Sequence, residues 1–216
     1  MTAVPANPKI YHITHVDNLA SIAASGELVS DAIRIAQSMT CAVVGMSEIK
    51  RRRLEEIEVS TCPGTKVGQY VPFYFCPRSI MLYILHMGNH PELTYQGGQR
   101  SIVHLEASFD ATVEWADAQP IRWAFTDGNA GAYLAEFYGR RAELDQINWA
   151  AVASTDFRDP RIKEGKQAEF LTFGTFPWTL VEKIGTIDST IAARVGAAIA
   201  GKPHQPVVQV ERNWYF

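Results

Sequence analysis

Residues 9–29, KIYHITHVDNLASIAASGELV, constrain the chain more than any other stretch, because within a few positions the apolar period changes from two to 3.6. Ile10, Tyr11, His12, Ile13 and Thr14 alternate as a strand buried on one face. Asp17 is the expected N-cap of the helix that follows, Leu19, Ile22 and Ala23 share its inner face, and Gly26 supplies the left-handed C-cap. Strand, tight turn, helix and glycine place His12 near a strand end, within reach of a ligand lying across the turn. On pattern alone a histidine in an alternating strand reads first as a structural residue.

The basic run Lys50–Arg53 sits in SEIKRRRLEEIEV, expected as a helix over Ser47–Val59 with Ile49, Leu54 and Ile57 as a narrow apolar stripe. Glu48 with Arg52 and Arg51 with Glu55 form i,i+4 pairs that explain most of these charges as a solvated face. They do not explain three consecutive arginines, one of which must turn toward the apolar side. The segment before it, Ser30–Met46, reads as a helical turn or as a loop packed over the first motif.

A second unit repeats the strand-to-helix pattern. Val71, Phe73 and Phe75 alternate with Pro72 and Tyr74, Pro72 hinting at an edge position or strand start, and Ser79 caps a helix carrying Met81, Leu82 and Leu85 up to Gly88. Further strands are expected at 101–109 and 121–126, with a helical turn or loop between them. An amphipathic helix is expected from Thr126 or Asp127 through Tyr133, Leu134 and Phe137, with a second helix over Leu144–Val152. Asp127, Gly128 and Asn129 then lie on a strand-to-helix loop, a usual place for substrate-contacting groups.

Residues 154–166 are polar, charged and broken by Pro160 and Gly165, the composition of a mobile loop. They run into AEFLTF, a core strand that opens on a carboxylate, Glu169. An acid there either faces solvent or is held for a purpose. A strand over Val181–Ile187, a helix over Ser189–Ala200 and a closing edge strand that ends in aromatics complete the chain.

With 216 residues, 47% of them hydrophobic, the chain suits one domain with its own core, residues 9–216, behind a flexible N-terminus over 1–8. Three cysteines without C-x-x-C spacing argue against a disulfide framework and a structural zinc site, so no metal is expected. No apolar run approaches the ~20 residues of a membrane span, and the first residues lack a signal-peptide pattern, so no membrane partner and a cytoplasmic location are expected. The net charge of −3 gives no global reason to expect nucleic acid.

Taken in order, YHITHVDNL, YVPFYFCPRSIMLY, YQGG and KQAEFL closely resemble the DarT family, bacterial toxins that ADP-ribosylate a base in single-stranded DNA. The resemblance covers residues 9–216 and implies an α+β ADP-ribosyltransferase fold, similar to poly(ADP-ribose) polymerases, with a central split, antiparallel-rich β-sheet core and flanking helices. It implies NAD+ as co-substrate, single-stranded DNA and a macrodomain antitoxin as partners, and a monomer. His12, Ile13 and Thr14 match the motif that holds the nicotinamide ribose and carboxamide, and Asn18, Ser21 and Val29 edge the adenosine half. Tyr74, Arg78 and Met81 match the motif around the nicotinamide ring, Glu169 the catalytic glutamate, and residues 154–168 the substrate-recognition loop. Arg53, with Arg52 one position away, matches a further essential arginine that also reaches NAD+. On the DNA side, Arg52, Asp127, Asn129 and Lys166 are the expected contacts.

Glu169, hydrogen-bonded to a ribose hydroxyl, would stabilise oxocarbenium character as nicotinamide leaves. The resemblance gives Arg53 a proton-abstracting role; a guanidinium that stays charged suits electrostatic stabilisation of a deprotonated base better. Thymidine is the implied acceptor. Transfer to guanine, RNA or protein, or plain NAD+ hydrolysis, is the alternative.

Overall fold

The computed structural model describes residues 3–216. In chain order its elements are β1 (Lys9–His15), α1 (Leu19–Ser25), β2 (Glu27–Val29), α2 (Asp31–Ala36), α3 (Ser47–Glu55), β3 (Tyr70–Tyr74), α4 (Ile80–Met87), β4 (Ile102–Ser108), α5 (Phe109–Ala118), β5 (Trp123–Thr126) and β6 (Phe137–Tyr138). The second part holds α6 (Trp149–Ala153), α7 (Pro160–Gly165), β7 (Glu169–Phe173), β8 (Thr175–Pro177), β9 (Val181–Thr186), α8 (Ser189–Ile199) and β10 (Val207–Val210).

Eight strands form one sheet in the order β10-β9-β4-β1-β3-β7-β5-β6, antiparallel except for the β9–β10 pair, and β2 pairs with β8 beside it. Within each half the strands pair over several residues, with one register shift between Glu106 and Ala107 against β9. Between β1 and β3 the pairing narrows to a single residue pair, Tyr11 opposite Tyr74, so the sheet opens there into the expected split. The fold is α+β, a mostly antiparallel sheet split in the middle and flanked by helices, the architecture that the resemblance implies. Ile10, Phe73, Leu105, Phe109, Phe170 and Ile184 are fully buried between the sheet and its helices, which anchors the walls of the split.

Several local expectations change. His15, not Asp17, caps the first turn, its Nδ1 accepting from Asp17 N–H at 3.2 Å, while Asp17 pairs with Arg194 at 2.6 Å. Gly26 closes α1 at φ +80°, as the sequence indicates. α3 stops at Glu55, because Ile57 and Val59 turn inward to a separate buried cluster with Tyr70 and Leu171. Pro72 marks no outer edge: β3 is internal, and the Pro72 carbonyl faces β1 across the split.

The helix expected through residues 127–138 does not form. Asn129 Oδ1 accepts from Gly131 N–H at 2.7 Å, the Ala130 N–H is committed elsewhere, and Phe137 pairs with Thr126 as a strand. Tyr133 and Leu134 are left 78% and 94% exposed. Leu144–Val152 is a 3₁₀ turn followed by α6. The 154–166 loop contains α7, begun by Asp159 as cap and Pro160 in the first turn.

Of the N-terminal segment expected to be loose, residues 1 and 2 lie outside the described residues. Residues 3–7 are exposed, and Pro8 is buried with its carbonyl accepting from Phe109 N–H at 3.0 Å. Among the described residues no helix is long and apolar enough to cross a membrane.

Candidate active site

The split in the sheet opens into a cavity of about 460 Å³, within the size range of small-molecule sites. β1, α1 and β2 form one wall, α4 another, and residues 39–46 line the cavity as an irregular strap. Every residue assigned above to the dinucleotide except Arg78 lines this cavity.

His12 Nδ1 lies 2.8 Å from the Pro72 carbonyl. A carbonyl only accepts, so Nδ1 carries the proton and Nε2 keeps its lone pair. Burial pushes the His12 pKa down, and the ring is neutral at pH 7. Asn18 joins two parts of the wall: its Nδ2 donates to Thr14 Oγ1 at 3.1 Å and to the Ala42 carbonyl at 3.0 Å, while Ala42 N–H donates to its Oδ1 at 2.8 Å. One side-chain amide thus pins the strap to the end of β1. The sequence marks Asn18 and leaves residues 30–46 open between a helical turn and a loop packed over the first motif; residues 31–36 form α2 and residues 39–46 are the loop.

At the floor lie Glu169 and Arg53. Arg53, from the last turn of α3, places Nη1 3.1 Å from Oε1 and Nη2 2.8 Å from Oε2, a two-pronged fork. Ala130 N–H donates to Oε1 at 3.1 Å, and the Glu169 N–H donates to Thr126 Oγ1 at 3.2 Å. Glu169 is 2% exposed. Burial disfavours charge on Arg53, but the adjoining carboxylate outweighs it and holds the guanidinium above its ordinary pKa. Arg53 is therefore the arginine that turns inward. Tyr74 sits directly across the β3–β7 ladder from Glu169, and Met81 continues that wall.

The four residues expected against DNA divide. Asn129 lines the cavity and its Nδ2 donates to Gln167 Oε1 at 3.2 Å. Arg52 lies outside it, giving Nη2 to the Gly131 carbonyl at 3.0 Å with its guanidinium 4.4 Å from the centre of the Tyr133 ring. Asp127 is exposed on the same loop. Lys166 is 3% exposed, its Nζ donating to the Val152 carbonyl at 2.9 Å and lying 5.0 Å from the centre of the Phe157 ring. Arg78 stands over the rings of Phe157 and Phe216, 5.4 and 4.5 Å from their centres, at the rim beyond Tyr74. It is the one residue assigned to the dinucleotide that does not line the cavity, and its Nε is buried without a hydrogen-bond partner among the described residues.

A fixed carboxylate, a neutral histidine and a tyrosine around one concave floor can orient a sugar and stabilise positive charge developing on it. Glu27, Asp31, Arg34, Lys50 and Gln167 also line the cavity and were not singled out in the sequence. Among the described residues no cluster of His, Cys, Asp or Glu is arranged to hold a metal ion.

A family model described as "ssDNA thymidine ADP-ribosyltransferase, DarT" matches residues 11–216. A DNA ADP-ribosyl transferase of Thermus aquaticus is 39% identical over 216 residues, 99% of this chain and 91% of the relative. The solved structure of Thermus sp. 2.9 DarT in complex with ADP-ribosylated ssDNA superposes with a TM-score of 0.88 at 34% identity, covering 100% of this chain and 99% of that one. The same Thermus protein in complex with NAD+ gives 0.80 at 32% identity, covering 99% and 100%.

Proposed function

The chain belongs to the DarT family and is a DNA ADP-ribosyltransferase; from that premise we propose that it moves ADP-ribose from NAD+ to thymidine in single-stranded DNA, as the toxin of a toxin–antitoxin pair. NAD+ is the donor in this reading, as its Thermus relative is described in complex with NAD+. The observation that carries the residue roles is the Arg53–Glu169 fork, buried at the floor of the cavity between His12 and Tyr74.

In the proposed reaction the bond between ribose C1′ and nicotinamide breaks with its electron pair, and nicotinamide leaves neutral. C1′ becomes cationic. Glu169, held by Arg53 and the Ala130 N–H, accepts the ribose 2-hydroxyl proton in a hydrogen bond and stabilises that charge. Tyr74 and His12 orient the nicotinamide and its ribose. Thymine N3–H gives its proton to solvent water, and the imide nitrogen so exposed bonds to C1′ with its lone pair. Arg53 acts as a permanent cation that stabilises the imide anion, not as the base, since its neighbour holds its proton more firmly than usual.

Thymine N3 is hidden in paired duplex, so a single strand is the natural substrate. Arg78, Phe157 and Phe216 offer bases beside the target an aromatic and cationic surface at the rim. The macrodomain antitoxin and residues 9–216 acting as one domain belong to the same reading. Labelled NAD+ incubated with oligonucleotides of matched sequence, differing only at thymine, tests it by mass spectrometry. Label on thymine with nicotinamide release is expected; label on guanine, RNA or protein instead would overturn the acceptor, and co-expression with a macrodomain antitoxin is expected to restore growth.

A further inference from the structure

Of the four motifs that carry the resemblance, YQGG alone has no part in the chemistry above. It shapes a tight loop before β4: a Cβ on Gly97 would collide with the ring of Tyr95, which packs edge-on against His15 at 5.7 Å. The loop delivers Gln99 to the start of β4, where its carbonyl accepts from Ile102 N–H at 3.0 Å and the residue is 7% exposed. We propose that Gln99 is a positioning residue for the DNA substrate, fixing the Phe216 ring beneath Arg78 at the rim; this deepens the reading of that rim as a stacking surface for bases and rests on it.

A side-chain amide buried this far needs partners at both ends. Gln99 has three. Phe216 N–H donates to its Oε1 at 3.1 Å, its Nε2 donates to the Phe216 carbonyl at 2.5 Å, and Nε2 also lies 3.1 Å from His86 Nδ1. A backbone N–H only donates and a carbonyl only accepts, so residue 216 decides which end of the amide is which, and the second Nε2 hydrogen goes to His86 Nδ1 as acceptor. The amide thus takes both backbone groups of one residue at once, as a neighbouring antiparallel strand would. Two bonds closed in a ring fix the backbone direction of Phe216 and, with it, the aim of its side chain.

What is aimed lies at the centre of the rim. The Phe216 ring stands 5.1 Å from the rings of both Tyr83 and Phe157, 6.0 Å from that of His86, and 4.5 Å from the Arg78 guanidinium above it. Tyr83 and His86 belong to α4 and Phe157 to the 154–159 segment, so Phe216 joins the regular wall of the cleft to the acceptor loop. Arg78 Nε has no polar partner, which leaves the ring faces of Phe216 and Phe157 to set where the guanidinium stands. The residue before Phe216 is anchored without Gln99, since Tyr215 Oη lies 2.9 and 3.1 Å from the Ile102 and Gly185 carbonyls. Loss of the Gln99 amide therefore frees the ring and leaves the segment behind it in place.

A double-mutant cycle tests the assignment, read as steady-state labelling of a thymine-containing oligonucleotide beside nicotinamide release without DNA. Phe216→Ala removes the ring but keeps the backbone groups that Gln99 binds, and should raise the KM for the oligonucleotide roughly tenfold, the loss of one stacked contact. Gln99→Met keeps the volume without the amide and should raise the same KM about fivefold, with the KM for NAD+ and nicotinamide release within about twofold of wild type. Should that variant not fold, Gln99→Glu, which still accepts from Phe216 N–H but sets an oxygen against the Phe216 carbonyl, takes its place with the same expectations. Added to Phe216→Ala, the Gln99 substitution should raise the KM no further, because the ring through which it acts is gone; a merely structural role would add its full effect again. That second increase, or an unchanged oligonucleotide KM in the Gln99 variant, overturns the positioning role. An unchanged KM in Phe216→Ala would instead overturn the rim reading beneath it, and the proposal with it.

Discussion

The two sides of the cleft are built differently. The side assigned to the dinucleotide is made of regular elements, β1, α1, β2 and α4, whose inner faces run into the buried core through Leu19, Leu28, Leu82 and Leu85. The side assigned to the acceptor is made of the irregular segment 127–136, which carries the exposed pair Tyr133–Leu134, and of 154–168, whose one regular element is the short α7; they meet the apolar core at Ala130 and Ala168. A cofactor of fixed shape suits a rigid wall; a flexible strand suits loops that adjust. Glu169 belongs to both, as the first residue of β7 on one side and the acceptor of the Ala130 N–H on the other.

The largest effect therefore falls on that shared residue. Glu169→Gln should lower both nicotinamide release and DNA labelling, by roughly 10²–10³-fold if one preorganised electrostatic contact to the transition state is lost. The glutamine carbonyl can still accept from Arg53, but its amide turns one prong of the fork into a donor facing a donor and leaves the guanidinium without its counter-charge, so this variant too loses stability. Arg53→Ala should likewise abolish labelling, but it strands a carboxylate that is 2% exposed, at a cost of about 3 kcal/mol. Thermal melts beside the activity assays separate the two. Equal loss from both halves supports the shared floor, whereas DNA labelling lost with nicotinamide release intact would break it.

The next effect lies behind both halves. His104 on β4 is fully buried, and its Nε2 donates to the Pro77 carbonyl at 2.9 Å, where β3 turns toward α4. Its Nδ1 has no partner, and burial pushes the pKa down to about 4. The folded protein thus binds this proton less readily than the unfolded chain, whose imidazole titrates near 6.5. Stability is full above pH 6.5 and falls as pH drops toward 4, by about 3 kcal/mol in total. Urea unfolding at pH 7 and pH 4.5 measures the slope, which His104→Asn should flatten.

These two sides also differ in how much of them the residues disclose. The β1–α1 unit, the Ser79 cap and the strand opening on Glu169 follow from local periodicity and cap chemistry, which depend only on near neighbours. Tyr133, Leu134 and Phe137 have helical spacing as well, yet no helix forms, because the Ala130 N–H binds a residue 39 positions away and Phe137 completes a strand pair with β5. Spacing cannot report a partner so distant. The strap over 39–46 stayed undecided for the same reason: what orders it is Asn18, not its own pattern. The motif says nothing of the rings of Phe157 and Phe216 beneath Arg78, which the chain brings together only in three dimensions.

Phe157 sharpens the contrast from the acceptor side. Its ring lies under Arg78 and against Phe216 at 5.1 Å, outside the cavity. Phe157→Ala should weaken DNA labelling by one stacked contact, about 1–3 kcal/mol in apparent affinity for the oligonucleotide, while nicotinamide release without DNA stays within about twofold. An equal fall in both activities would mean that the loop supports the floor rather than the strand.

The smallest effect comes from the cofactor side. Asn18 makes the two hydrogen bonds to Ala42 that tie the strap to β1, and it touches no residue of the acceptor loops. Asn18→Ala removes both, while the backbone groups of residue 42, half-buried at the cleft mouth, can turn to water. The net cost is therefore near that of one ordinary hydrogen bond, ~1 kcal/mol, or about fivefold in KM for NAD+. Because neither Asn18 bond to the strap involves Glu169 or Arg53, kcat should change little. Asn18→Asp keeps the acceptor for the Ala42 N–H but turns the donor to its carbonyl into a repelling oxygen, so it should raise KM at least as much as alanine does. If kcat falls while KM holds, the strap serves the catalytic floor directly, and the division between a rigid cofactor wall and an adjustable acceptor wall fails at its most local point.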